Sequence, residues 1–245
     1  GNITGVTNKH GIEIAASGVT LDLGGFELIG VAAMGPFDGV AVTAPLYSNI
    51  TITSGSVRNW SGDGVDLGFY AVPGCIVKEV RSSDNALSGI AMGIGGVVTQ
   101  CTAYRNGGDG IVLAFGSTVT NSAAASNTGR GILTTQGCSI SGCTTALNTG
   151  GGISTGAGCS ITNCTAHLNQ ANGIDAGTSS VVTACTAYQN TGHGITGNGS
   201  CTITDCIARL NTLDGIRVGT SCLVRNNTSA SNGSGAGDGA NIHAT

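Results

Sequence analysis

A fixed 21-residue beat runs through most of this chain. Gly-Ile stands at Gly89-Ile90, Gly110-Ile111, Gly131-Ile132, Gly152-Ile153, Gly173-Ile174, Gly194-Ile195 and Gly215-Ile216, each pair 21 residues after the last. Asparagine keeps the beat from Asn85 through Asn106, Asn127, Asn148, Asn169, Asn190 and Asn211 to Asn232. Cysteine keeps it at Cys143, Cys164, Cys185 and Cys206, with Cys101 two beats earlier and Ser122 between. Self-similarity at a short fixed period marks a stacked architecture, in which each repeat packs mainly on its neighbours. The 3.6-residue period of a helix is absent. Each repeat reads instead as three short strands separated by Gly-rich, Cys and Asn corners. Alternate side chains of a strand point inward. The inward stacks are then Ile90, Ile111 and Ile132, and Val98, Val119, Ile140, Ile161, Val182, Ile203 and Val224. Three strands in so few residues cannot pair within one coil. They pair with the coils above and below, as parallel sheets spaced about 4.8 Å. The expectation is an all-β, single-stranded parallel β-helix of about ten coils, a rod roughly 45–50 Å long.

The beat argues for one domain over residues 1–245. Coils 1–87 are longer, with Gly39, Gly64 and Gly89 each 25 residues apart. Their extra residues should bulge as loops, Phe69, Tyr70 and Pro73 among them. Residues 88–233 are the regular coils, and 234–245 a C-terminal extension in which Asp238-Gly239 mimics another corner. Only 9% of residues are charged while 40% are hydrophobic, which excludes disorder. A net charge of −4 gives no footprint for nucleic acid. No run of about 18 apolar residues is present to span a membrane. The chain opens on Gly-Asn-Ile-Thr without a charged-then-apolar leader, and reads as a mature or trimmed fragment.

The ten cysteines fall in columns where Ser and Gly substitute, as at Ser117, Ser180 and Gly96. That pattern fits a small, buried, weakly polar filler. Stacked cysteines one coil apart have parallel Cβ vectors, which disfavours disulfides, so free thiols are expected. The Cys-x4-Cys pairs lack further ligands for a tetrahedral metal site. The asparagines should hydrogen-bond coil to coil and occupy left-handed corners, and the glycines should likewise permit a corner.

Chemistry must come from outward columns. The position before the corner glycine holds Asp38, Asp63, Ser88, Asp109, Arg130, Gly151, Asn172, His193, Asp214 and Asp238. The outward position of the first strand holds Glu13, Ala41, Asp66, Ala91, Val112, Leu133, Ser154, Asp175, Thr196 and Arg217. That of the third strand includes His167, Tyr188 and Arg209. The three columns are expected to converge in the C-terminal coils. There Asp175, His193, Asp214 and Arg217 are the candidate catalytic residues, and His167, Tyr188 and Arg209 the candidate binding residues. Arg clamps a carboxylate, His exchanges protons near neutrality, paired Asp flank a glycosidic bond, and Tyr stacks on a sugar face. At the other end Glu13, Asp38, Asp63 and Asp66 could bind Ca²⁺, although Asp before Gly also simply stabilises a turn. No other cofactor is expected. Ala91, Val112 and Leu133 form an outward apolar stripe, which suggests association with other copies.

The repeats Asn211-Thr212-Leu213-Asp214-Gly215-Ile216 and Asn190-Thr191-Gly192-His193-Gly194-Ile195 follow an Asn-x-x-x-Gly-Ile pattern. In these repeats the chain resembles the right-handed parallel β-helix proteins of the pectate-lyase-like superfamily, over nearly its whole length. The resemblance implies a right-handed coil and a secreted or cell-surface protein. It also implies an activity on acidic polysaccharide as lyase or glycosidase, or else a non-catalytic envelope or tailspike-like module, trimers having family precedent. No catalytic residue carries over. The Asn-Thr-Asp, Asp-Asp, His-Gly, Arg-Ile-Lys series of polygalacturonases is absent, as is the Asp-Pro-His of alginate epimerases. The basic site of pectate lyases is thin, with only Lys9 and Lys78 as lysines.

Overall fold

The computed structural model describes residues 1–31, 35–42, 47–68, 73–233 and 241–244. Over these the chain is a parallel β-solenoid of about ten coils, without helices. The first strand of every coil joins one 11-stranded sheet, from Ile12–Ile14 to Ile242–Ala244. The second and third strands join a 19-stranded sheet. Each residue pairs with its counterpart one coil away, as Ile111 does with Ile90 and Ile132. The longer coils keep this register, Val40 opposite Val65 and Val65 opposite Ile90. Phe69, Tyr70 and the Asp238-Gly239 corner lie outside the described residues.

The interior is three stacks. Ile90, Ile111, Ile132, Ile153, Ile174, Ile195 and Ile216 are buried on the first side, and Val98, Val119, Ile140, Ile161, Val182 and Ile203 on the second. Ala103, Ala124, Thr145, Ala166, Ala187 and Ala208 fill the third. Val224, near the open end, is only partly buried. Each enclosed Ile or Val contributes about 1.5–3 kcal/mol by leaving water. Trp60 broadens the core in the wider coils, its indole N–H donating to the Leu28 carbonyl at 3.3 Å.

The asparagines form a continuous ladder. Asn106 Nδ2 donates to Asn127 Oδ1 at 3.0 Å, Asn127 to Asn148 at 2.9 Å, and so on to Asn232. The same Oδ1 also accepts the preceding rung's backbone N–H, as Asn148 does from Asn127 at 3.0 Å. The left-handed corner, however, is not at asparagine. It lies one residue earlier, at Arg105, Ser126, Leu147, Leu168, Gln189 and Leu210. The corner glycines are not left-handed either. A Cβ at Gly110 would lie 2.6 Å from the Gly131 carbonyl oxygen and 2.7 Å from Asn127 Nδ2. Glycine is needed there so that successive coils can approach.

All ten cysteines are free thiols. They do more than fill space. Cys159 Sγ accepts the Cys138 N–H at 3.3 Å, as Ser122 Oγ accepts that of Cys101 and Asn227 Oδ1 that of Cys206. Both cysteine columns thus make a second kind of ladder, and any small side chain with an acceptor serves it.

Candidate functional site

The position before the corner glycine carries a third ladder. Its side chain accepts the backbone N–H of its counterpart one coil later. Asp38 accepts from Asp63 at 2.7 Å, Asp63 from Ser88 at 2.5 Å, and Asp109 from Arg130 at 2.5 Å. Asn172 accepts from His193 at 2.9 Å. The N-terminal carboxylates thus have a structural task. Burial, together with the charges of Asp66 and Asp38, pushes the Asp63 carboxyl up to about 6 against the pull of the Ser88 N–H. Among the described residues no group of three or more His, Cys, Asp or Glu side chains is placed to hold a metal ion.

At the C-terminal end this ladder meets the outward column of the first sheet, where Asp175, Thr196, Arg217 and His243 pair in register. Asp175, His193, Thr196 and Arg217 line a cleft of about 430 Å³, together with Asn172 and the strand ends Gly197-Asn198 and Val218-Gly219. Asp214 lies beneath it, only 3% exposed. Its Oδ2 is 3.2 Å from His193 Nδ1 and 3.5 Å from His243 Nδ1. Arg217 Nη1 sits 3.2 Å from His193 Nε2. Thr196 Oγ1 donates to Asp175 Oδ1 at 2.5 Å.

These contacts make opposite demands on the tautomer. Arg217 can only donate, so against it Nε2 accepts and the proton resides on Nδ1, facing the Asp214 carboxylate. The Asp214 backbone N–H donates to the same Nδ1 at 3.1 Å in the other tautomer, as the Asp38 N–H does to His10, so the two tautomers compete. Burial, and then the charge of Arg217, lower the His193 pKa against the opposing pull of Asp214 and Asp175. His193 is therefore neutral at pH 7, and in the Nδ1–H tautomer its Nε2 lone pair faces Arg217 and the cleft. A His-over-Asp pair by itself is scaffold. His10 and Asp38 repeat it at the other end, with the Asp38 N–H donating to His10 Nδ1 at 3.0 Å. What distinguishes His193 is the arginine and the cleft.

The expected convergence of all three columns is corrected. His167, Tyr188 and Arg209 pair with one another along the 19-stranded sheet and line no part of the cleft. They share coils with the site residues, but the Asn corner has turned the chain onto another face. Tyr188 is 38% exposed, Arg209 is exposed, and His167 Nδ1 is buried without a hydrogen-bond partner among the described residues. His243 was missed, because it follows Arg217 by 26 residues and Asn241 replaces the corner glycine. The residual signal was Ile242-His243, an Ile-x pair matching Ile216-Arg217.

The solved structures with a similar fold include two A-modules of mannuronan C-5 epimerases from Azotobacter vinelandii. AlgE6 matches with a TM-score of 0.69 at 14% identity, over 99% of this chain and 77% of that one. AlgE4 matches with a TM-score of 0.67 at 15% identity, over 99% and 76%. At such identity the likeness is one of fold. No curated protein matches the chain by sequence. The profile of the family described as right-handed β-helix region matches residues 2–149, 39–184 and 135–244, and the chain belongs to that family.

Proposed function

We propose that this protein is an extracellular polysaccharide-binding and -processing β-helix, acting as a lyase on acidic glycans at the Asp175–His193–Arg217 cleft. The observation that carries this reading is the pairing of a cation with a neutral, carboxylate-supported imidazole in one cleft. Arg217 leaves His193 to bind the carboxylate of a uronate unit. Neutralising that carboxylate acidifies the adjacent C–H. His193 Nε2 takes this proton, Asp214 stabilises the imidazolium, and the glycosidic oxygen departs with its electron pair and takes a proton from water. The product is an unsaturated sugar end. Hydrolysis is less well served, since it uses two carboxyl groups flanking the bond. Of the two candidate carboxylates, Asp214 is buried and only Asp175 lines the cleft.

The test is incubation with a panel of uronate-containing polymers, following ultraviolet absorbance for unsaturated ends and a reducing-sugar assay for hydrolysis. Unsaturated product from the native protein, absent in His193→Gln, is expected. Absence of both turnover and binding across the panel would overturn the reading. A second reading, a non-catalytic envelope or tailspike-like module assembling as a trimer, is favoured by the half-buried Val112 and Leu133, which pair in register along the first sheet beside the buried Ala91.

A further inference from the structure

Two sets of coil-to-coil hydrogen bonds fail together at one place. The residue two before the corner glycine donates its N–H to its counterpart one coil earlier. This rung is made by Gly62, Leu87, Gly108, Gly129, Gly150, Gly192 and Leu213. It is missing at Ala171, whose counterpart carbonyl belongs to Gly150. The next residue, Asn172, should donate to the side chain at position 151. That residue is glycine, with φ +112°, and offers no side chain. Among the described residues the successive N–H groups of Ala171 and Asn172 thus have no acceptor. Both residues line a small pocket of about 120 Å³, together with Arg130, Gly150, Gly151, Gly152, Ile153, Ser154 and Asp175. Successive unpaired backbone N–H groups form a concavity suited to an anion, and a guanidinium is a matching cation.

We propose that this pocket is an anion subsite for the carboxylate or sulfate group of an acidic sugar unit, bound by Arg130 and the N–H groups of Ala171 and Asn172. At ~30 Å³ per water-sized unit, the volume suits one such group. The Asp175 carboxylate on the opposite wall, already bonded by Thr196, favours a ligand that also carries a hydroxyl donor. Asn172 and Asp175 line the larger cleft as well, so the two spaces adjoin. Arg130 and Arg217 stand four coils apart, about 19 Å along the axis. A glycan lying along the sheet would be held by its acidic groups near both ends of this groove. The inference rests on the polysaccharide reading of the larger cleft and extends it.

Amide NMR of the ¹⁵N-labelled protein tests it, with glucuronate and inorganic sulfate as probes. Saturable shifts of the Ala171 and Asn172 resonances are expected with glucuronate, and weaker ones with sulfate. Arg130→Gln should weaken the response about tenfold. The Arg130 side chain is largely exposed and only 4.0 Å from Asp109, so its loss leaves the fold intact. No saturable shift, or an unchanged affinity in Arg130→Gln, overturns the subsite. So does a sulfate response equal to that of glucuronate, the mark of an adventitious ion only. Polymer turnover without any response at these amides would overturn the subsite alone. A response at these amides with no polymer bound would overturn the cleft reading alone.

Discussion

At the scale of single residues, two ionisable groups give opposite, checkable signatures. His193 must be neutral to act as a base, and its pKa lies below the ordinary 6.5 because burial and Arg217 disfavour the cation. Turnover should stay flat through neutral pH and fall only on acidification, with an inflection below 6.5 in kcat/KM. Asp214→Asn keeps the shape but removes the charge that favours the Nδ1–H tautomer. It should lower kcat about 10²–10³-fold with little change in KM. Asp63 behaves otherwise. Its carboxyl titrates at about 6 in the folded chain against an ordinary 3.8. The folded state therefore holds the proton more tightly, and the stability this contributes is lost as pH rises through about 6. Asp63→Asn retains the acceptor for the Ser88 N–H, as Asn172 does for His193. Urea midpoints should show this variant more stable than the native protein at pH 7, by about 1–2 kcal/mol after allowing for residual solvent. The gap should close near pH 4.

At the scale of the repeating elements, the ladders differ in what they tolerate. Asn148 is fully buried. Its side chain accepts from the N–H and Nδ2 of Asn127, and donates to the Ala124 carbonyl and to Asn169. Asn148→Ala strands several polar groups at once, at about 1–3 kcal/mol each, so a loss of roughly 4 kcal/mol in unfolding free energy is expected. Cys185→Ser should cost no more than about 1 kcal/mol, because serine already makes the same rung at Ser122. This contrast explains what the sequence disclosed. The Asn ladder repeats one letter because only a planar amide accepts two donors and donates two. The ladder before the corner glycine was illegible because Asp, Asn and, at His10, an imidazole nitrogen all meet its single demand. The left-handed corners were illegible too, since Arg, Ser, Leu and Gln share them. The cysteines read correctly as unpaired, and as buried at all but the half-buried Cys222, but their hydrogen bonds needed coordinates.

At the scale of the molecule, translation by one coil fixed the fold in advance, down to the order of Asp175, Thr196 and Arg217 along one sheet. Sequence distance gives the coil number of a residue. It does not give which face of the coil is shared, so His167, Tyr188 and Arg209 were grouped with a cleft they do not line. His243 escaped because its coil breaks the period. The apolar stripe belongs to this scale as well. Val112 and Leu133 are only half-buried. If they join copies, light scattering of the native protein should give an oligomer that Leu133→Asp converts to a monomer. A strict monomer in both removes the assembly reading. The like-to-like rungs also bear on how such a chain can change over time. A whole repeat can be duplicated or lost by recombination without leaving an unmatched partner, because every rung joins equivalent positions. Each event between Arg130 and Arg217 would alter their separation by one coil, about 4.8 Å. A groove of this kind can be lengthened or shortened only in quantised steps, so its preference for polymer length would evolve by counting.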